Sequence, residues 1–376
     1  VVALAIQAAD ASFLGPGALA APERDALLLL GALGGLMALA AEHLLTLWAG
    51  LALYVATRAA SQRPADADNP EALWALGGLA LLLLGSALIY ASAATARLGD
   101  LSAALWLRAG PQPMLFYLGG VLCLVGCAWA TQLVPPYPPA AAHELATPLI
   151  GVLAPARLYL RGSGALAWEW ALALGGLGVV AVVGAMGASL LAQGRVVRIE
   201  RWLMAQRGFL LFGLAAAFAT AGLSAWLAGL VALLLAQAVT RAVLPQTPDA
   251  ASTNILSPFV GLVRHSPWAG APLLVALASL AAAPPTLGYA ARAALLAVAR
   301  THLAAWVEPV ATAMSVLYGL ACVPWVLTLV RRGSRHAQIE LAWPRALGLA
   351  LATVGLVGLG LFPAPFQWLS QWLVGG

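Results

Sequence analysis

The chain is 376 residues long, 62% hydrophobic and only 9% charged, with a mean hydropathy of +0.91. Soluble domains carry roughly 25% charged residues, so this composition excludes a water-soluble protein and points to one embedded in a bilayer. The formal net charge of +5 rests on nineteen arginines and no lysine, set singly between apolar runs without interleaved aromatics. That pattern excludes a nucleic-acid-binding surface and suits contact with anionic lipid.

In chain order, residues 1–20 form an apolar lead-in broken by glycine and proline. Apolar stretches of about 20 residues, the length that crosses a ~30 Å hydrocarbon core, then predict membrane spans. The first six lie at 24–41, 44–60, 71–95, 113–134, 147–161 and 169–192. Five more follow at 200–220, 224–244, 268–299, 305–330 and 344–362, and the aromatic tail from Phe366 to Trp372 suits the membrane interface. The expected fold class is an all-α polytopic membrane protein with about eleven transmembrane helices. Arginines concentrate in segments 58–70, 193–199, 245–267 and 331–343, which assigns these segments and the N-terminus to the cytoplasmic side.

Two proline clusters interrupt the predicted spans. Pro135, Pro136, Pro138 and Pro139 end the fourth, and Pro284 with Pro285 cuts the ninth in its middle. Proline removes a backbone donor and clashes with the preceding turn. Broken backbone at membrane depth is tolerated only inside protein or beside a water-filled cavity. The breaks lie five spans apart, and an odd repeat inverts its second copy, so two five-helix inverted repeats are expected, each with a Pro-broken helix. The corresponding parts are a lead-in at 1–20, a first half at 24–161, a second half at 169–330, and a final helix with interfacial tail at 331–376.

The local sequences around these breaks carry a family resemblance. Ser266-Pro267-Trp268, the apolar run Leu273 to Ala283, and Pro284-Pro285-Thr286-Leu287-Gly288-Tyr289-Ala290-Ala291-Arg292 resemble the broken helix of complex I antiporter-like membrane subunits. In that family Pro-Pro and Gly-Phe precede a lysine. The stretch His43-Leu44-Leu45-Thr46-Leu47-Trp48-Ala49-Gly50-Leu51-Ala52 is similar to the family's Asp-Leu-Leu-Thr-Leu-x-x-Gly-Leu-Glu. Val134-Pro135-Pro136-Tyr137 with Thr147-Pro148 resembles its Val-Pro-Phe-His and Thr-Pro-Val elements, and Ala205-Gln206-Arg207-Gly208 resembles its Ala-Gln-x-Gly. The likeness covers most of residues 24–330 and is closest to the type called subunit N.

The resemblance implies a proton relay, and the relay's carriers are missing from this chain. The family's glutamate falls on Ala52, its first lysine on Ala130, its next near Arg157 or Leu158, and its last on Arg292. Burial can bring a lysine's pKa toward neutrality, whereas a guanidinium stays charged. These four are therefore degenerate proton-channel positions. His143, Glu144, His302 and Glu308 are the candidates for a residual relay; Glu308, followed by Pro309 in an apolar span, is also the candidate counter-charge for Arg292 or Arg300.

By resemblance, then, the chain is expected to be a membrane-arm subunit of a complex I-type NADH:quinone oxidoreductase, structural rather than pumping. It is expected to bind no redox cofactor itself, with NADH, flavin, iron–sulfur clusters and quinone in partner subunits. The expected partners are a neighbouring antiporter-like subunit, small membrane subunits and the lipid bilayer of a bacterial inner membrane or its equivalent. Two alternatives stay open. One is a membrane subunit of a related hydrogenase or cation/proton antiporter complex. The other is a free-standing transporter in which Arg157 and Arg292 bind an anion. Cys123, Cys127 and Cys322 lack metal-ligand spacing and read as small core residues.

Overall fold

A computed structural model describes residues 21–61, 70–101, 103–104, 113–131, 133, 146–162, 167–191, 195–217, 220–243, 259–302, 307–331 and 343–375. The named elements among them are helices. The first eight are α1 (Ala21–Ala40), α2 (Leu44–Ser61), α3 (Pro70–Ala93), α4 (Pro113–Ala130), α5 (Ala146–Gly162), α6 (Ala167–Leu191), α7 (Arg195–Ala215) and α8 (Thr220–Val243). Then come α9 (Leu262–His265), α10 (Pro267–Leu280), α11 (Leu287–His302), α12 (Val307–Val330), α13 (Trp343–Leu361) and α14 (Ala364–Gly375). A 3₁₀ turn at Leu98–Asp100 follows α3. The chain forms two compact units, Val1–Leu177 and Gly178–Gly376, each described below by itself.

The all-α expectation stands, but the eleven spans do not. Among the described residues four helices are long and apolar enough to cross a membrane: Ala72–Ala93, Glu169–Leu191, Thr220–Val243 and Glu308–Val330. The count rises to five if α13 and α14, bent by 80° at their junction, are taken as one span. The other apolar runs fail for two physical reasons. Ala26–Ala40, Leu44–Ala60, Met114–Ala130 and Pro267–Leu280 are apolar but too short, where about 20 residues are needed. Helix α5 carries Arg157 and Arg161, and α7 carries Arg195, Arg198, Glu200, Arg201 and Arg207. The predicted span at 268–299 is in fact two helices, of 14 and 16 residues. Two five-helix repeats required ten spans, so that arrangement falls with the count. Pro135, Pro136, Pro138 and Pro139 lie outside the described residues.

Glycine decides how the helices of the first unit pair. Helix α1 packs on α2, and α3 on α4. A side chain at Gly34 would meet Tyr54 N at 2.7 Å and Gly50 O at 2.8 Å, and one at Gly50 would meet Ala38 N at 2.5 Å. In the second pair, a side chain at Gly85 would meet Gly119 O at 2.5 Å and one at Gly126 would meet Leu82 N at 2.5 Å. Backbone therefore rides on backbone, the packing that small residues permit between apolar helices in lipid. Polar ties add to this: Trp48 Nε1 donates to Leu79 O at 3.0 Å, and Arg157 Nε donates to Ala41 O at 2.9 Å.

In the second unit α8 is the central helix. It touches α7, α10, α11, α13 and α14. Its spanning window is 67% buried, against 28% for α12, so α8 is core while α12 turns most of its surface outward. The exposed side chains of α12 include Leu317, Leu320 and Leu327, a surface suited to lipid or another membrane helix. Inside the unit an aromatic cluster joins α7 to α12: Trp202 lies 5.8 Å from Trp325 and 6.4 Å from Tyr318, and Phe209 lies 6.4 Å from Tyr318.

Candidate functional site

The site begins with a defect that the sequence imposes. Helix α10 stops at Leu280 and α11 starts at Leu287, with Pro284 and Pro285 in the turn between them. In an unbroken helix the N–H of residue 284 would donate to the carbonyl of Leu280, and proline has no N–H to give. The turn recovers most of the other bonds locally: Ala281 N donates to Leu277 O at 2.8 Å and Ala283 N to Ala278 O at 2.8 Å. Thr286 Oγ1 donates to Ala283 O at 2.7 Å, and Gly288 N donates to the Ser279 hydroxyl at 3.1 Å. Ala282 adopts φ 54° to make the reversal, a left-handed conformation that costs a non-glycine residue energy.

Arg292 supplies the donor that Pro284 lacks. Its Nη2 donates to Leu280 O at 2.9 Å and also to Gln206 Oε1 on α7. The guanidinium carbon sits 4.3 Å from the centroid of the Phe209 ring and 5.1 Å from that of Tyr318. Stacking of this kind stabilises a desolvated cation by about 2 kcal/mol or more. Arg292 is 3% exposed, and its Nε and Nη1 are buried without a hydrogen-bond partner among the described residues. Four helices, α7, α10, α11 and α12, thus converge on one cation held by an amide, a carbonyl and two rings.

Tyr318 locks the cage, because its hydroxyl donates to Trp202 O at 2.9 Å while its ring faces Arg292. That carbonyl sits inside α7 and keeps its helical bond. Tyr318→Phe is therefore expected to cost only about 1 kcal/mol, the net worth of one buried hydrogen bond. A denaturant or SDS unfolding series on the purified subunit checks this; a loss several times larger would mean that the hydroxyl organises the cage rather than trimming it.

The other sequence-selected positions fall elsewhere. Ala52 is half-buried on α2, and Ala130 is buried at the end of α4, where its backbone occupies the space that a side chain on Gly78 would need. Arg157, in the first unit, is tied to Ala41 O. Glu308 does not neutralise Arg292: its carboxylate lies 3.9 Å from Arg300 Nε, with Arg300 exposed and Glu308 half-buried. His143 and Glu144 lie outside the described residues, and the side chain of His302 is likewise not described. The partner that sequence reasoning missed is Gln206. It stood in the quoted Ala-Gln-Arg-Gly stretch, but no local signal linked it to a residue 86 positions later. Among the described residues no group of three His, Cys, Asp or Glu is placed to hold a metal ion.

An all-α chain with spanning helices, a helix broken at paired prolines and a buried cation closing the break is an integral membrane protein built around a broken helix. No family model matches the sequence. Individual relatives do. The chain is 29% identical over 409 residues to NADH-quinone oxidoreductase subunit N 1 of Solidesulfovibrio magneticus, covering 100% of this chain and 85% of the relative. It is 25% identical over 326 residues to subunit N of Cutibacterium acnes, covering 77% of this chain but only 59% of that relative. Its fold is similar to that of a chain in respiratory complex I from Thermus thermophilus, with TM-score 0.75, 22% identity, and coverage of 97% and 84%. A chain of the membrane-bound sulfane sulfur reductase, an archaeal respiratory membrane complex, gives TM-score 0.74 at 18% identity, covering 99% and 78%. One from the Mrp complex of Dietzia sp. DQ12-45-1b gives 0.72 at 16%, covering 92% and 76%. By sequence and by fold, then, the chain is similar to antiporter-like membrane subunits of the subunit N type.

Proposed function

We propose that this protein is a membrane-arm scaffold subunit of a complex I-type NADH:quinone oxidoreductase whose own proton channel has been lost. The observation that carries the reading is the bond from Arg292 to Leu280 O, made where Pro284 leaves that carbonyl without its helical donor. A lysine at such a position can release its proton on burial; an arginine holds its charge. Here the cation closes the broken helix as a permanent structural donor. Alanine at 52 and 130 removes two further ionisable groups from the positions that the resemblance assigns to a relay. Binding partners would include a neighbouring antiporter-like subunit and small membrane subunits, with redox cofactors and quinone held elsewhere in the assembly. The N-terminus faces the cytoplasm by the arginine distribution.

The decisive experiment uses the intact complex reconstituted in vesicles. Arg292→Gln is expected to leave protons translocated per electron pair unchanged, while lowering the yield of assembled complex. A reduced proton ratio in complexes that do assemble would end the lost-channel reading. Gentle purification adds a second test: the protein should migrate with other membrane subunits, and recovery as a functional lone carrier would favour a free-standing transporter instead.

A further inference from the structure

The first unit holds a charged hollow that neither the broken helix nor a proton path uses. Two chain reversals meet there. Leu44 N donates to Ala96 O at 2.9 Å and Leu98 N to Glu42 O at 2.7 Å, and His43 pairs with Arg97 in a short antiparallel bridge. These bonds fix the corner between α1 and α2 against the corner after α3. The last turns of α5 complete the walls. The hollow measures about 170 Å³ and is lined by Glu42, Arg97, Leu98, Gly99, Asp100, Arg157 and Arg161.

Its charges divide into two sets. Arg97 lies 3.9 Å from both carboxylates, Glu42 and Asp100, and so faces the negative side chains. Arg157 and Arg161 are left on the other wall, one turn apart on the same face of α5, where like charges repel each other. A helix C-terminus favours a cation, which accounts for Arg161. It does not account for Arg157 a turn earlier, whose Nε donates to Ala41 O and whose side chain lines the hollow. Guanidinium forks side by side can bind the oxygens of a phosphate through paired, charge-assisted hydrogen bonds.

We propose that this hollow binds an anionic phosphate group, held between Arg157 and Arg161. The hollow sits at helix ends, the level at which headgroups lie when the helices are in a bilayer. Leu160, next to Arg161, is 44% exposed, and Leu45, at the start of α2, is 59% exposed. Both can lie along acyl chains, so a lipid such as phosphatidylglycerol is one source of the phosphate and free inorganic phosphate the other. Phosphatidylcholine carries its own cation beside the phosphate and satisfies the arginine pair less well.

Native mass spectrometry of the full chain, stripped of lipid in detergent, tests the site. Phosphatidylglycerol, phosphatidylcholine and inorganic phosphate are titrated separately. Retention of phosphatidylglycerol or of phosphate, weakened roughly tenfold or more by Arg161→Gln and restored by Arg161→Lys, supports the proposal and names the source. Arg161 is exposed, so this variant should fold normally even if Arg157→Gln, which loses the tie to Ala41, does not. Equal retention of phosphatidylglycerol and phosphatidylcholine, binding untouched by Arg161→Gln, or no binding of either phosphate source would overturn it.

Discussion

Replacing Arg292 by alanine is expected to lower the unfolding free energy of the second unit by about 3 kcal/mol, while methionine at the same position changes it by no more than about 1 kcal/mol. Three effects set the difference. Alanine leaves a cavity among Phe209, Tyr318 and Leu280, and large-to-small core changes typically cost 2–5 kcal/mol, roughly. Both substitutions also take the donor away from Leu280 O and Gln206 Oε1, leaving buried acceptors unpaired at about 1–3 kcal/mol each. Working the other way, both remove a buried cation whose Nε and Nη1 lack protein partners among the described residues. Methionine keeps the volume, so for it the last two effects nearly cancel. Unfolding of the three proteins in a graded SDS series reads the comparison directly. If methionine destabilised as much as alanine, charge rather than bulk would hold the break together. Arg292→Lys keeps the charge but loses the planar face over Phe209 and Tyr318, so it should fall between them.

The break itself was legible in sequence because its cause is local: two adjacent prolines cannot continue a helix, whatever surrounds them. Less was legible about what closes it. Charge counting offered Glu308 as the counter-group for Arg292 or Arg300, and Glu308 stands 3.9 Å from exposed Arg300. The actual acceptors are an amide on another helix and a backbone carbonyl, neither of which carries a charge to notice. One of the two was nonetheless predictable. Leu280 lies four residues before Pro284, so its carbonyl had to lose its helical donor, and Arg292 lay within reach along α11. Gln206 offered no such rule.

The span count failed for a related reason. Apolar content is additive along a sequence, but spanning requires one unbroken helix of sufficient length. Residues 268–299 are almost uniformly apolar and still form two short helices, because Pro284 and Pro285 outweigh hydropathy. The charged hollow was invisible for the opposite reason. Glu42, Arg97, Asp100, Arg157 and Arg161 are scattered over three stretches of chain, and only the paired corners bring them together.

Gly288→Ala is expected to destabilise the second unit by about 3 kcal/mol or more. Gly288 lies in the first turn of α11, and its N–H reaches the Ser279 hydroxyl. A Cβ there would overlap the carbonyl oxygen of Ser279 and come within 2.7 Å of its Oγ. The carbonyl belongs to the last turn of α10 and Ser279 is 2% exposed, so no rotamer change relieves the clash. The two half-helices must move apart instead. From the opposite side, Gly360 of α13 presses on the same turn, where its own Cβ would overlap Pro285 O. Separation would carry Leu280 O away from Arg292, so the bond that replaces the missing proline donor should weaken as well. Gly348→Ala in α13 is the matched control: nothing lies within 4 Å of its Cβ position. There the methyl should be neutral or stabilise by up to about 1 kcal/mol, because alanine loses less backbone entropy in a helix than glycine. If the two variants unfolded at the same SDS fraction, the close seating of α11 on α10 would not be what holds the broken helix in shape.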